Sequence, residues 1–321
     1  MTGGSWGLAR FVAVRLAATV ALLLVASFVV FGLLHLTPGD PARNLLGPRT
    51  PDPETLAQIR AQYHLDEPFW QQYLSWLTGV LHGDLGHSIR GNVSVGALIA
   101  DRAVLTLQLA GLAFLFTLLI ALPLGIGAAF HAGSPMDRTV SVLAVVGVGA
   151  PSFAVGMLLI YVLGVQWRLF PVYGNGDPGW DRWWHLVPPA ITLAIGLAAL
   201  VYKLTRTAVL NELRQDYVTF ARSRGLSHRQ TRQLALRNAM IPIVTSLGLV
   251  FAFLFGGTIL VEVTFGLGGL GALLASSVTF KDIPVVQAIT LLTAAVIALT
   301  ALAVDLAYLV IDPRVRQRAT S

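Results

Sequence analysis

The residues most able to do chemistry are three glycines, Gly266, Gly268 and Gly271, which spell G-x-G-x-x-G, a pattern that lets a backbone approach a pyrophosphate. They follow an apolar run instead of a soluble strand, and no acidic residue stands about twenty positions on, so a dinucleotide site does not fit. Gly3, Ser5 and Gly7 spell G-x-S-x-G. A chain end supplies no strained strand-to-helix elbow to expose that serine as a nucleophile. Neither Lys203 nor Lys281 lies in a P-loop pattern, so the chain has no such cradle for a nucleoside triphosphate. The seven histidines, His35, His64, His82, His87, His131, His185 and His228, form no H-E-x-x-H pair, and cysteine is absent. No catalytic residue, cofactor site or metal site is legible. The expectation is a transport protein, not an enzyme.

The elements that would carry such residues follow from composition. Of 321 residues 55% are hydrophobic and 12% charged, and the mean hydropathy is +0.71, too apolar for a water-soluble globule of this length. The reading is an all-α integral membrane protein. Six runs can cross the hydrocarbon as helices of about 20 residues: Leu16 to Leu34, Ala103 to Phe130, Thr139 to Trp167, Leu186 to Tyr202, Ala239 to Val263 and Pro284 to Ile311. The first follows Arg10 and Arg15 as a signal peptide would, but it exceeds a signal h-region and no small-residue cleavage site follows Leu36, so it reads as an anchor. The sequence divides into 1–102, an anchor helix with an outer loop domain, and 103–321, a five-helix core.

Six spans put both termini on one side. That side carries 14 Lys and Arg, eight of them between Lys203 and Arg237, against four acidic residues, and the opposite side carries eight basic and eleven acidic residues. The positive-inside bias therefore puts the termini on the cytoplasmic side of a multi-pass membrane protein. The pI near 10.1 reflects this topology and not nucleic-acid binding, because the arginines sit at span ends instead of on a soluble fold.

Between the fourth and fifth runs lies a polar, basic segment. Leu210, Leu213, Tyr217, Phe220 and Ala221 recur at helical spacing. Gly225 ends that helix. Ser227 and Gln230 have the form of a capping box, opening a second helix with Thr231, Leu234, Ala235 and Asn238 on one face and running toward Pro242. This helix, turn, helix hairpin at 203–241 must lie at the inner membrane surface. The first outer loop, Leu36 to Arg102, has helical signals of its own: Asp52 and Pro53 open a helix with Leu56, Ile59 and Tyr63 on one face, and Trp70, Tyr73, Leu74 and Leu77 mark another. It is either a lid over the external mouth or a docking surface for an extracytoplasmic partner.

The chain resembles the permeases of ABC importers, in the dipeptide, oligopeptide and nickel group. The resemblance rests on Asp216-Tyr217-Val218-Thr219-Phe220-Ala221-Arg222-Ser223-Arg224-Gly225-Leu226, followed by Leu236-Arg237-Asn238-Ala239 and Pro242, which is similar to that family's cytoplasmic signature loop. Further matches are Pro38-Gly39-Asp40-Pro41-Ala42, Gly83-Asp84-Leu85-Gly86 with Ser88, Pro151 with Phe153, Leu169-Phe170-Pro171 with Gly174, Val261-Glu262 with Phe265, Gly269-Leu270-Gly271, and Asp312-Pro313-Arg314. Thr219 and Phe220 replace the Glu and Ala of the general signature, Gly268 stands where proline is common, and Pro188 where leucine is usual.

The resemblance implies a type I importer permease of six transmembrane helices, forming half of a translocation pathway for di- or oligopeptides. It implies a heterodimer with a second homologous permease, one or two ABC ATPase subunits that bind ATP and Mg, and an extracytoplasmic substrate-binding protein; membrane lipid surrounds the spans. Tyr217, Phe220, Ala221 and Leu226 would anchor the hairpin in a groove of the ATPase, Gly225 would make the turn, and Arg222 and Arg224 would be rim charges. The plainer alternative lays the hairpin on anionic headgroups. Pro151, Phe153, Pro242, Glu262 and Asp305 are candidate pathway or gating residues. Pro151 and Pro242 are either hinges or static kinks. Asp305, about 10 Å along the helix from Asp312, either faces the pathway or pairs with Lys203 or Arg206; Glu262 either holds an outer loop or meets substrate. A nickel or other small-solute importer is the alternative function. A gradient-driven carrier is a further one, but it would need inverted repeats that are not apparent and would leave the hairpin unexplained.

Overall fold

Inside hydrocarbon no water satisfies a backbone amide or carbonyl, so a chain this apolar must pair its peptide groups internally. The computed structural model describes residues 3–36, 40–46, 52–62 and 65–311, and these residues form twelve α-helices, one π-helical segment and a single isolated bridge between His87 and Ser94. In order the helices are α1 (Gly3–Leu36), α2 (Pro41–Leu46), α3 (Pro53–Gln62), α4 (Phe69–Leu81), α5 (Val95–Phe130), α6 (Pro135–Gly149), α7 (Ser152–Leu159), α8 (Trp180–Leu213), α9 (Asp216–Ser223), α10 (His228–Thr264), α11 (Leu270–Thr279) and α12 (Ile283–Ile311). Pro38, Gly39, Tyr63 and the terminal segment with Asp312, Pro313, Arg314, Arg316 and Arg318 lie outside the described residues.

Five of these helices are long and apolar enough to cross a membrane. The third expected span is not one helix. α6 and α7 meet at a bend of 105°, because Pro151 has no amide to donate and forces Ala150 into an extended conformation, with ψ 122°. If the bent pair counts as one span the total is six. The segment after α7, Ile160–Gln166, is π-helical. Pro242, in contrast, sits within an unbroken α10. Pro188 and Pro189 likewise lie inside α8, both buried.

The helices also outrun the apolar stretches that announce them. α5, α8 and α10 have 36, 34 and 37 residues, about 50–55 Å at 1.5 Å per residue, against a hydrocarbon core of about 30 Å. Each is longer than the hydrocarbon is thick, and in α8 and α10 polar side chains continue the same helix past the apolar stretch.

The chain forms two compact units that differ from the linear boundary at 102. One comprises 1–16, 108–267 and 300–321, the other 17–107 and 268–299. Helices α1, α5 and α12 each contribute to both, which is why a cut in the sequence does not reproduce the grouping in space. In the first unit α10 packs along α8, and α6 and α7 pack on α8. Its core is made of small side chains, Ala121, Ala128, Ala144, Ala198 and Ala199 with Val201, Tyr202 and Val250, as expected where dispersion and close backbone approach replace the hydrophobic effect. Arg206 reaches Asp137 with two bonds, 2.6 and 2.8 Å, tying α8 to the start of α6; Ser134 caps that start by accepting from the Asp137 amide. The pairing expected for Asp305 with Lys203 or Arg206 is not the one formed. Arg206 is committed to Asp137, and Asp305 meets Arg15 of α1 at 3.1 Å, both residues belonging to this unit.

In the second unit α4 lies against α1 through an aromatic nest of Phe28, Phe31, Phe69, Trp70, Tyr73 and Trp76. The Tyr73 and Ser27 hydroxyls share a buried 2.8 Å hydrogen bond. Both helices expected in the outer loop are present: Asp52 accepts from Thr55 at the start of α3, and Trp70, Tyr73, Leu74 and Leu77 all lie on α4. Gln287 of α12 donates to the Val30 and Phe31 carbonyls of α1.

A Cβ built on Gly125 of α5 would lie 2.9 Å from the Thr205 Cβ and 3.1 Å from the Tyr202 carbonyl of α8. Gly125→Leu is therefore expected to destabilise the first unit by about 1–3 kcal/mol through overpacking, read as a lower midpoint in heating followed by size-exclusion chromatography in detergent. An unchanged midpoint would show that the α5–α8 approach is not tight.

Candidate functional site

The polar segment after Tyr202 begins as a continuation of α8, which runs without interruption to Leu213. The first hairpin helix expected from the sequence is thus two pieces, the end of α8 and the short α9. The break falls at Arg214 and Gln215, whose amides turn back onto the Asn211 and Glu212 carbonyls; Gln215 then adopts an extended conformation with ψ 149°. Leu210 and Leu213 remain on α8, packed against a buried cluster of Ala129, Ala208, Val209, Ala239 and Ile243.

α9 packs on α10 and has one inward face. Val218 is 1% and Ala221 8% exposed, and Thr231 and Ala235 are buried on the facing part of α10. Tyr217 is half-buried, and its hydroxyl donates to Glu212 at 2.6 Å. Burial, and then that hydrogen bond, push the phenol above its ordinary range, so it stays a donor at neutral pH. Tyr217 and Ala221 therefore hold α9 to its own hairpin and are not outward anchors. Their helical spacing with Phe220 did not reveal this, because an eight-residue helix shows two faces within a single signature.

The outward face carries Phe220, 58% exposed, and Leu226, 38% exposed. The Arg224 guanidinium lies 4.5 Å above the Phe220 ring, a cation–π contact worth about 0.5–1 kcal/mol at an exposed site. It fixes the ring while leaving an edge free. Arg222 is exposed beside it.

The turn is closed in the manner of a Schellman cap. The Leu226 amide donates to the Ala221 carbonyl at 3.2 Å and the Gly225 amide to the Arg222 carbonyl at 3.0 Å. Gly225 has φ +86°, which glycine adopts freely and side-chain-bearing residues adopt at a cost. Nothing would meet a Cβ there, so the requirement is conformational and not steric. Two residues on, the expected capping box is complete: the Gln230 amide donates to the Ser227 hydroxyl, and the Gln230 side chain accepts from the Ser227 amide at 2.9 Å. From Ser227 the chain runs directly into α10. The hairpin is therefore a knob bonded to the adjoining ends of two long helices, α8 and α10.

The remaining candidates are dispersed. Pro151 marks the bend, with Phe153 on the first turn of α7, 46% exposed. Pro242 lies within α10 beyond the hairpin. Glu262 is fully buried near the C-terminal end of α10, and its carbonyl accepts from the Leu267 amide in a second Schellman turn with Gly266 at φ +62°. That turn accounts for the first glycine of the G-x-G-x-x-G pattern, Gly266, whereas the last, Gly271, is buried in the first turn of α11. Asp305 is held by Arg15.

Residues 121–317 match the family model of the binding-protein-dependent transport system inner membrane component, and 8–110 match the N-terminal model of the same membrane components. The chain belongs to this family. It is 38% identical over 310 residues to the glutathione transport system permease protein GsiC of Salmonella choleraesuis, covering 96% of this chain and 99% of that one. It is 36% identical over 336 residues to the dipeptide transport system permease protein DppB of Escherichia coli, with the same coverage. A probable peptide ABC transporter permease protein, y4tP of Sinorhizobium fredii, is 34% identical over 306 residues, 94% of this chain and 97% of that protein. Among solved structures the fold is similar to a chain of the inward-facing MetNI methionine ABC transporter, with a TM-score of 0.56 and 19% identity, covering 67% of this permease and 96% of that chain. Membership in this family removes the gradient-driven carrier weighed from the sequence.

Gly225→Val is expected to cost about 1–2 kcal/mol locally by opposing the left-handed turn, raising amide hydrogen exchange over residues 221–227 while that of the α8 and α10 interiors stays as in the unaltered permease. Unchanged exchange across the turn would contradict the conformational role.

Proposed function

We propose that this permease forms half of the translocation pathway of an ATP-driven importer for di- and oligopeptides. The observation that carries this reading is the rigid hairpin with Phe220 and Leu226 outward, in a chain whose relatives are named as dipeptide, glutathione and peptide permeases. Both termini and the hairpin are cytoplasmic, supported by the excess of Lys and Arg on that side. A second homologous permease completes the pathway. One or two kinds of ABC ATPase bind ATP with Mg on the cytoplasmic side, and a binding protein delivers substrate from outside.

Phe220 and Leu226 enter a groove of an ATPase subunit, with Arg222 and Arg224 at its rim. Full burial of the phenylalanine contributes about 1.5–3 kcal/mol. Lipid contact alone needs only an apolar face and positive charge; it does not call for a Schellman turn and a capping box that fix the knob to two spans. When ATP draws the ATPases together the knob moves with them. Because α10 runs on from it and α8 joins it through the turn at Arg214 and Gln215, both helices rock as levers between inward-open and outward-open states. The bend at Pro151 lets α6 and α7 follow separately, and Pro242 stays a static part of its lever.

Phe220→Ala is expected to weaken association with the ATPase by about 2 kcal/mol, roughly 30-fold in Kd, measured by titrating ATPase into permease dimers in nanodiscs. Gly225→Val should abolish substrate-stimulated ATP hydrolysis with membrane insertion intact. Unaltered association and unaltered stimulation would together rule out the coupling role. Calorimetry of the cognate binding protein against di- and oligopeptides and against Ni²⁺ decides the substrate; heat from Ni²⁺ alone would replace the peptide reading with a nickel importer.

A further inference from the structure

Within the second compact unit, the loop before α5 and the corner between α11 and α12 enclose a cavity of about 290 Å³. That is near the lower end of the ~300–1,000 Å³ range of ligand pockets. Its lining includes Arg90, Arg102, Ser276, Ser277, Phe280 and Asp282.

The charges in it are unbalanced. Asp282 is 4% exposed and already committed, accepting from the Ser88 hydroxyl at 2.5 Å and from the Ile89 amide at 3.1 Å. It is delivered by a Schellman turn in which Lys281, a residue with a side chain, takes φ +55°, so its position is fixed at the cost of strain. Arg90 is held with its guanidinium 4.0 Å above the Phe280 ring. Among the described residues neither Arg90 nor Arg102 forms an ion pair. The Arg102 Nε is buried with no hydrogen-bond partner. A buried N–H of a charged group left unpaired is costly enough to require a reason.

We propose that this cavity is an oxyanion site, with Arg102 donating to the bound oxygens and Arg90 supplying a second positive charge. Resting on the peptide reading above, the oxyanion is the C-terminal carboxylate of the incoming substrate. The phosphate of an anionic lipid headgroup has the same chemistry, and the test separates the two.

The assembled transporter in phosphatidylcholine nanodiscs is treated with phenylglyoxal, and modification of Arg102 is followed by mass spectrometry. Alanyl-alanine and acetate are expected to slow the reaction several-fold, and alanyl-alanine amide to leave it unchanged. Slowing only when phosphatidylglycerol is included would assign the oxyanion to lipid and overturn the substrate assignment. No slowing by alanyl-alanine, acetate or phosphatidylglycerol would overturn the site. Arg102→Gln should raise KM for alanyl-alanine uptake about tenfold, as for loss of a charged hydrogen bond, with kcat unchanged and partial rescue by Arg102→Lys; equal KM values would also overturn the substrate assignment. A transporter that moves no peptide but whose Arg102 is shielded by acetate would refute the peptide reading and leave the oxyanion site standing.

Discussion

Every peptide group within the hydrocarbon must find its partner in the chain itself, and the rest of the molecule follows from how that requirement is met at helix ends. Helices α9, α10 and α11 each end in a turn that takes up carbonyls of the last helical turn. The turns at Gly225, Gly266 and Lys281 each pair two carbonyls with the amides that follow. Where the requirement cannot be met, at Pro151, the helix divides and the two parts diverge by 105°. The same constraint explains why Pro242 and the pair Pro188 and Pro189 leave their helices unbroken: neighbouring turns and packed side chains hold a helix whose hydrogen bonding is locally reduced. The Thr192 hydroxyl, for instance, donates to the Pro188 carbonyl at 2.9 Å.

The two compact units apply this constraint differently. On the hairpin side, saturated turns convert two long helices and a short one into a single stiff body, with apolar side chains presented outward and charge placed around them. Rigidity is what a lever needs, since a frayed connection would dissipate displacement before it reached the spans. In the second unit the turn at Lys281 delivers Asp282 to the edge of a cavity. Asp282 is fully satisfied, whereas Arg102 is not, and that asymmetry marks the cavity beside them as a place for a ligand instead of a structural clasp.

Close packing in the first unit has a related origin. With lipid tails as apolar as the side chains, burying leucine gives little preference for one helix partner over another, so specificity comes from small residues that admit backbones and from a few ionic ties. Asp137 with Arg206 and Arg15 with Asp305 are such ties. The Arg15–Asp305 pair is partly exposed, which lowers the cost of bringing its charges together, whereas Asp137 is buried and kept by two bonds from Arg206.

Much of this was legible in the chain. Mean hydropathy and run length determined an all-helical membrane protein, the distribution of Lys and Arg determined its expected orientation, and Gly225 with Ser227 and Gln230 determined the hairpin's turn and cap. These are local properties, set by residues within one helical turn of each other or by composition over about twenty. Tertiary structure alone decided which acidic residue Arg206 would meet, that Tyr217 and Ala221 would face inward while Phe220 and Leu226 face out, and that Arg90, Arg102 and Asp282 would surround one cavity. Each of these depends on how segments distant in sequence pack, and an apolar helix of a membrane protein offers no strong periodicity from which its rotation about its own axis could be read.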